Sequence, residues 1–306
     1  SHLAAAAWSA TLGGSRTAMK RLSILGAGRV GTTLAALFHR HEVFDVGDVT
    51  CRTRVRADAA VARIGGGTPR CDTESLRPAD LFLVSVPDDQ LTTMANRLCG
   101  SGVLQPDTIV FHCSGALAGA DLGVGGRART ASVHPVKSFA DIEPSIRTFD
   151  GTWCAMEGTP AAIEQLRPAF EAIGGKPFTI PSEQKLLYHI GCVFGCNYLT
   201  ALLDVARGCL VRSGVPEDAA LQILQPLIEE TVTNNIRDGA ERALTGPIVR
   251  GDAALVGREL DQLAESDDDL ASLYRQLGQL TLQIAERSER LDDGAVGRLR
   301  TILGGE

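Results

Sequence analysis

A chain of 306 residues can bury a sizeable core and is long enough for two domains. Its 44% hydrophobic and 22% charged residues are ordinary for a globular protein. The formal net charge of -7 argues against nonspecific binding to nucleic acid or to an anionic membrane, so neither is expected as a partner.

The eight cysteines show neither paired CxxC spacing nor the density of a small secreted scaffold, which predicts reduced thiols. Cys192 and Cys196 read as core packing, because no further ligand cluster accompanies them, and no metal centre is expected. No stretch reaches the roughly 20 uninterrupted apolar residues of a membrane span. The nearest, Leu186 to Leu203, contains His189 and Asn197 and reads as a buried helix. Residues 1–18, "SHLAAAAWSATLGGSRTA", lack a basic n-region and read as an expression remnant or a mis-assigned leader. A cytoplasmic protein is the expectation.

From Met19 to about Ile180, short β-rich runs alternate with helical segments, the pattern of an α/β, doubly wound and mostly parallel sheet. The strands are expected at Arg21–Leu25, Val46–Arg52, Leu81–Val86, Thr108–His112, Thr130–Val133, Thr152–Met156 and Lys176–Ile180. Between the last two, Thr159 and Pro160 open a helix. After Pro181 the β signal vanishes, which places a domain boundary near residue 182 and an all-α domain over 183–306. One apolar helix is expected from Gln184 to Val211, another from Pro216 to about Arg237, and a third from Asp252 to Ala264. Ser266 and Asp269 form a capping box for a fourth.

The first strand runs into "GAGRVG": Gly26, Ala27, Gly28, Arg29, Val30 and Gly31. GxGxxG alone is a weak motif, but between a strand and a helix it predicts a pyrophosphate site. The glycines permit a tight turn and close backbone approach, and the helix N-terminus offers amides and a positive dipole end. The second strand ends in Arg52, Thr53 and Arg54, where an NAD site would carry a carboxylate. Guanidinium groups fit a 2′-phosphate, so NADP (NADPH) is the expected cofactor.

Ligands of such sheets lie beyond the carboxyl ends of the strands. There the chain presents Val86, Pro87 and Asp88 beside the expected nicotinamide ribose, then Ser114 with Gly115, then "SVHPVKSF" with His134, Pro135 and Lys137. Pro135 biases His134 to an extended conformation at the strand tip. The alternative is a surface histidine bonded to a loop carbonyl. On the apolar helix, Lys185, His189 and Asn197 need polar partners if buried. His189 and Asn197 read as facing the cleft, and Lys185 as structural. "ALTGPIVRGD" supplies Thr245 and Arg250 as candidate substrate-anion ligands, unless Arg250 pairs with Asp252.

"LGAGRVG", "VSVPD", "HCSGAL", "SVHPVKSF", "YHIGCVFGCNYLTALL" and "LTGPIVRGD", in that order from Met19 onward, resemble one family. It comprises Rossmann-like NADP oxidoreductases with a C-terminal helical domain of unknown function. They fall in the 6-phosphogluconate dehydrogenase-like superfamily, with pyrroline-5-carboxylate reductase and ketopantoate reductase as distant relatives. The resemblance implies a homodimer whose helical domains help complete each other's clefts. Lys185 with Asn197 is similar to the lysine and asparagines of ketopantoate reductases, and His134–Pro135 to a His-Pro motif of prephenate dehydrogenases.

The resulting expectation is an NADPH-dependent oxidoreductase that reduces a small carbonyl or imine bearing a carboxylate. His134 or His189 would be the acid, because histidine titrates near neutrality. Ser114 and Asn197 would bond the developing oxyanion, and Lys137 or Arg250 would hold the carboxylate. The alternative is a non-catalytic NADP-binding sensor or interaction module.

Overall fold

The computed structural model describes residues 19–304, so the reading of residues 1–18 lies outside the described residues. The chain divides into two compact units, one ending at Leu199 and the other beginning at Thr200.

The first unit is built on an eight-stranded sheet in the order β3-β2-β1-β4-β5-β6-β7-β8. Its strands are β1 (Arg21–Leu25), β2 (Asp45–Thr50), β3 (Thr68–Arg70), β4 (Leu81–Val84), β5 (Ile109–His112), β6 (Arg129–Pro135), β7 (Trp153–Gly158) and β8 (Lys176–Thr179). All neighbours pair in parallel except β6 and β7, which run antiparallel with His134 opposite Ala155. The order reverses at β1, the crossover point beside which such sheets bind ligands.

Both faces of this sheet are buried, and the period of two sorts its side chains between two cores. Leu22, Ile24, Leu83, Ile109, Phe111 and Val133 face one core; Leu25, Phe82, Val84 and Val110 face the other. The covering helices are α1 (Arg29–Arg40), α2 (Arg54–Ile64), α3 (Leu91–Gly100), α4 (Ile142–Arg147) and α5 (Pro160–Ala172). Leu25, Val84, His112 and Ser132 lie in one register row, so the loops after β1, β4 and β5 and the end of β6 emerge along one edge.

Several expected bounds shift for identifiable reasons. The second strand stops at Thr50, not Arg52, because the Thr50 carbonyl accepts the amides of Gly26 and Ala27. Thr53 then caps α2 by accepting the Arg56 amide. The short β3 gave no run of β-formers to read, since its sequence is Thr-Pro-Arg.

The expected helix from Gln184 to Val211 is one continuous helical rod with a π turn: α6 (Lys185–Val193), Phe194–Tyr198 in π geometry, and α7 (Leu199–Arg212). It is not the buried helix that its composition suggested. Leu187 is 65% exposed, Leu186 61% and Phe194 60%. By length and composition alone, Ser182–Arg212 could cross a membrane. The unit boundary falls inside this rod, not near Pro181, because Lys185 and Tyr188 tie its first turns to β6 of the sheet.

The second unit continues through α7 with α8 (Glu217–Asp238), α9 (Ala240–Ala243), α10 (Ala253–Ala264), α11 (Asp268–Arg287) and α12 (Asp293–Ile302). Its core joins Val256, Leu260, Leu282, Ala285, Leu299 and Leu303. The cap of α11 is Asp267, which accepts the Leu270 amide, in place of the expected Ser266 box. Asp252 caps α10 by accepting the Leu255 amide.

Candidate active site

The turn after β1 is shaped by contacts that only glycine allows. Gly26 has φ +89°, and a Cβ there would stand 2.6 Å from the Ser85 carbonyl oxygen. At Gly31 a Cβ would meet the Gly26 carbonyl oxygen at 2.8 Å, so loop, helix and β4 are in close contact. Gly28 behaves differently: nothing lies within 4 Å of its Cβ position, which leaves room for a ligand to approach the backbone. Gly28 is also the N-cap of α1 and supplies no capping side chain, so the first-turn amides have no side-chain acceptor there. Val30 packs on the core, and Arg29 donates to the Ala140 carbonyl at 3.0 Å.

A cleft of about 350 Å³ opens from this turn, lined by Gly26, Ala27, Gly28, Arg52, Val86 and Pro87 among others. Two cations that sequence reasoning missed, Arg56 and Arg97, line it as well. Arg54 does not line it; its guanidinium pairs with Asp58 at 2.9 Å. Thr53 serves the helix as its cap, worth about 1 kcal/mol in such positions. The far wall carries Cys71, Asp72, Thr73 and Glu74.

That wall is anchored by a buried carboxylate. Asp48 accepts the Arg77 guanidinium at 2.7 Å, the Arg77 amide at 2.8 Å and Arg70 Nε at 3.0 Å. Burial alone would raise its pKa, but these bonds hold the carboxyl below the ordinary range. The free turn at Gly28, the capless helix start and the arginines at the end of β2 together fit a phosphorylated dinucleotide.

A second group of side chains gathers past β5 and β6. His134 Nδ1 and the Tyr188 hydroxyl share a hydrogen bond of 2.7 Å. The His134 and His189 rings stand 6.4 Å apart between centroids. Gly115 lies between them: a Cβ there would come within 2.7 Å of His189 Nδ1 and 3.0 Å of His134 Nε2. His189 Nδ1 is buried without a hydrogen-bond partner. An unpaired buried nitrogen is costly, which marks the place where a ligand group would be accepted.

Burial, reinforced by the charge of Lys185, pulls the His134 pKa down to about 4. His134 is therefore neutral at pH 7, and burial moves its titration out of the near-neutral range expected of a histidine. Burial and a bond to Cys192 hold the Tyr188 hydroxyl above the ordinary range, so it stays protonated.

Lys185 is buried behind this pair, donating to Ser132 Oγ at 2.7 Å with Glu157 Oε1 at 3.7 Å. Glu157 also accepts the Gly119 amide at 2.8 Å and the Ser182 hydroxyl at 2.7 Å. Burial pulls the Lys185 ammonium below the usual lysine range, against the attraction of Glu157. Glu157 escaped the sequence reading because nothing in "WCAMEG" marks a buried acid.

The other candidates have the following surroundings. Ser114 donates its one hydroxyl hydrogen to Asp88 at 2.7 Å and accepts the Ala116 and Leu117 amides. It shapes the loop after β5 and has no hydrogen left for an oxyanion. Lys137 donates to the Thr148 carbonyl at 3.0 Å. Asn197 is exposed on the π turn, not buried as its apolar surroundings suggested. Thr245 and Arg250 are exposed residues of the second unit, and Arg250 does not pair with Asp252, which is spent on the α10 cap. Among the described residues no group of side chains could hold a metal ion.

The fold is a mostly parallel α/β unit followed by a helical region. Two protein-family models match the chain: a Rossmann-like domain over residues 8–124 and a domain of unknown function, DUF2520, over residues 152–281. The chain thus combines a Rossmann-like domain with a C-terminal DUF2520 domain. No curated protein matches it. A Thermotoga maritima protein of solved structure is 28% identical, with a TM-score of 0.71 over 88% of this chain and 100% of its own. A Bacteroides fragilis protein assigned as an NADP oxidoreductase is 22% identical, with a TM-score of 0.68 over 87% of this chain and 98% of its own. An imine reductase from Myxococcus stipitatus in complex with NADP+ is 14% identical, with a TM-score of 0.58 over 91% and 99%. The last two likenesses are of fold.

Proposed function

We propose that this protein is an NADPH-dependent reductase of a small carbonyl or imine compound. The observation that carries the reading is the cleft that runs from the open turn at Gly28 to Arg52 and Arg56. The loop amides would hold the pyrophosphate and the two arginines the 2′-phosphate, by charge-assisted bonds. That NADP+ is bound in the imine reductase named above, a protein of similar fold, supports this reading.

Bound NADPH supplies a hydride to an electrophilic carbon. The chain must then hold the substrate and protonate the heteroatom that receives the displaced electron pair. In our reading the Tyr188 hydroxyl donates to His134 Nδ1, which leaves the hydrogen of His134 on Nε2, facing Gly115. As Nε2 delivers its hydrogen, Nδ1 takes the Tyr188 hydrogen, and the Tyr188 oxygen is reprotonated from solvent, so the pair returns to its starting state. His189 Nδ1 bonds the second polar group of the substrate. Lys137, two residues past Pro135, is the cation nearest in sequence to receive a substrate carboxylate, by releasing the Thr148 carbonyl.

We also propose a homodimer. Leu186, Leu187, Ile190, Phe194 and Tyr198 form an exposed apolar run on the first unit's helix. A patch of this kind calls for a cover. A second copy is the cover favoured, because Lys185 ties this helix to a sheet and not to lipid. Sedimentation at micromolar concentration checks it: a monomer would contradict the proposal.

NADPH absorbance, followed across a panel of 2-keto acids, cyclic imines and aldehydes with NADH alongside, tests the activity. Turnover of a panel member with NADPH preferred supports it. Tight NADPH binding with no turnover of any would favour a non-catalytic sensor module.

A further inference from the structure

Two cysteines of the cleft wall take no part in holding the dinucleotide or in moving a proton. Cys51 follows β2 and Cys71 follows β3, strands that pair in parallel with Thr50 opposite Arg70. The Cys51 amide donates to the Arg70 carbonyl at 3.2 Å, which carries the ladder past that pair. The next opposed positions are Cys51 and Cys71. Opposed residues of neighbouring strands point to the same face, on strands about 4.8 Å apart. Disulfides bridge Cα separations of roughly 4.4–6.8 Å. Both residues line the one cleft, and the Cys51 thiol, which donates to the Ala27 carbonyl at 3.8 Å, turns from it to bridge. Cys71 is exposed and Cys51 half-buried.

We propose that Cys51 and Cys71 form a reversible disulfide that closes the arginine end of the cofactor cleft. The inference rests on the reading of that cleft as the NADPH site. Arg52 and Asp72 follow the two cysteines directly, and both line the cleft. A sulfur–sulfur bond of about 2.05 Å would lie across the opening between the two loop bases and fix them to each other.

The oxidant is a low-molecular-weight disulfide. The exposed Cys71 thiolate attacks one of its sulfurs, forming a mixed disulfide and releasing one thiolate. Cys51 then gives its proton to solvent and attacks the Cys71 sulfur, expelling the second thiolate. Two cysteine thiols are oxidised and one small disulfide is reduced to two thiols. Burial holds the Cys51 thiol above its usual range, so the second step is slow unless the mixed disulfide persists. A bound dinucleotide, lying between the two loops, would hold the sulfurs apart and slow the bridge.

The test treats the purified full chain with oxidised glutathione, with and without NADPH, then alkylates remaining thiols and maps the peptides by mass. The expected result is a linked pair of peptides carrying Cys51 and Cys71, formed more slowly under saturating NADPH. NADPH affinity, read by fluorescence, should fall about tenfold or more and return on addition of dithiothreitol. In Cys71→Ser neither the link nor the affinity change should occur. Separately alkylated Cys51 and Cys71, or Cys71 carrying glutathione beside a reduced Cys51, would overturn the bridge. A bridge that leaves NADPH affinity unchanged would overturn the closure. Failure of the reduced protein to bind NADPH would instead overturn the cofactor reading, while the peptide masses would still decide the bridge.

Discussion

His134 Nδ1 and the Tyr188 hydroxyl stand 2.7 Å apart, joining the last residues of β6 to the first turns of α6. Tyr188 also packs edge-on against Phe178 of β8, with centroids 6.2 Å apart. The hydroxyl therefore reaches His134 from a ring already fixed by packing. Both partners lie in the first unit, so this bond is a property of that unit alone.

Tyr188→Phe keeps the packed ring and removes the hydroxyl that sets the His134 tautomer. Once a substrate is in hand, kcat should fall about 100-fold, the scale of a lost general acid relay. Stability should drop by only about 1 kcal/mol, the net worth of one hydrogen bond. Unchanged kcat with lowered stability would make the bond structural only.

Gly115→Ala places a methyl group 2.7 Å from His189 Nδ1 and 3.0 Å from His134 Nε2. The rings must separate, so turnover should collapse while NADPH binding, measured by fluorescence, stays within about threefold. The melting temperature should also fall, since overpacking of this kind costs about 1–3 kcal/mol.

Lys185→Met leaves Glu157 buried with only the Gly119 amide and the Ser182 hydroxyl as donors. Breaking a buried pair from one side costs about 3–5 kcal/mol. Replacing both, as Lys185→Met with Glu157→Gln, should restore part of that loss in urea denaturation. If the single and double variants are equally destabilised, the 3.7 Å contact between Lys185 and Glu157 does not matter to folding.

Acid should weaken the first unit before its carboxylates titrate. The folded pKa of His134 is about 4, against about 6.5 in an unfolded chain. Above pH 6.5 both states hold a neutral ring and stability is complete. As pH falls through that value the unfolded chain takes up a proton that the folded chain refuses. Stability then declines until about pH 4, by up to ~3 kcal/mol. His112, also pushed down by burial, acts in the same direction. Urea denaturation at pH 7.5 and 5 should show the loss, and His134→Gln should shrink it.

What the sequence revealed and what it hid follow from how local each feature is. The turn at Gly26 to Gly31 and the arginine at the end of β2 are contiguous motifs, and the structure places both on one cleft. Arg56 and Arg97 escaped notice because each lies on a helix that meets the cleft only after folding. Tyr188 lies among apolar residues with nothing local to single it out; its role comes from reaching β6, across the sequence from position 188 to 134. The antiparallel β7 was invisible for a related reason, since pairing direction depends on the crossover and not on the strand's own residues. The exposure of Leu186, Leu187 and Phe194 reversed the expectation of a buried helix, because composition reports that a face needs cover but not what covers it.

The most direct test of the account is a pair of fluorescence titrations, NADPH and NADH, against the reduced protein and against the variant Arg52→Ala with Arg56→Ala. The account predicts NADPH bound at least about tenfold more tightly than NADH. It also predicts that the double variant loses this preference by weakening NADPH alone. Equal affinities in the unaltered protein, or a preference that survives loss of both arginines, would contradict it.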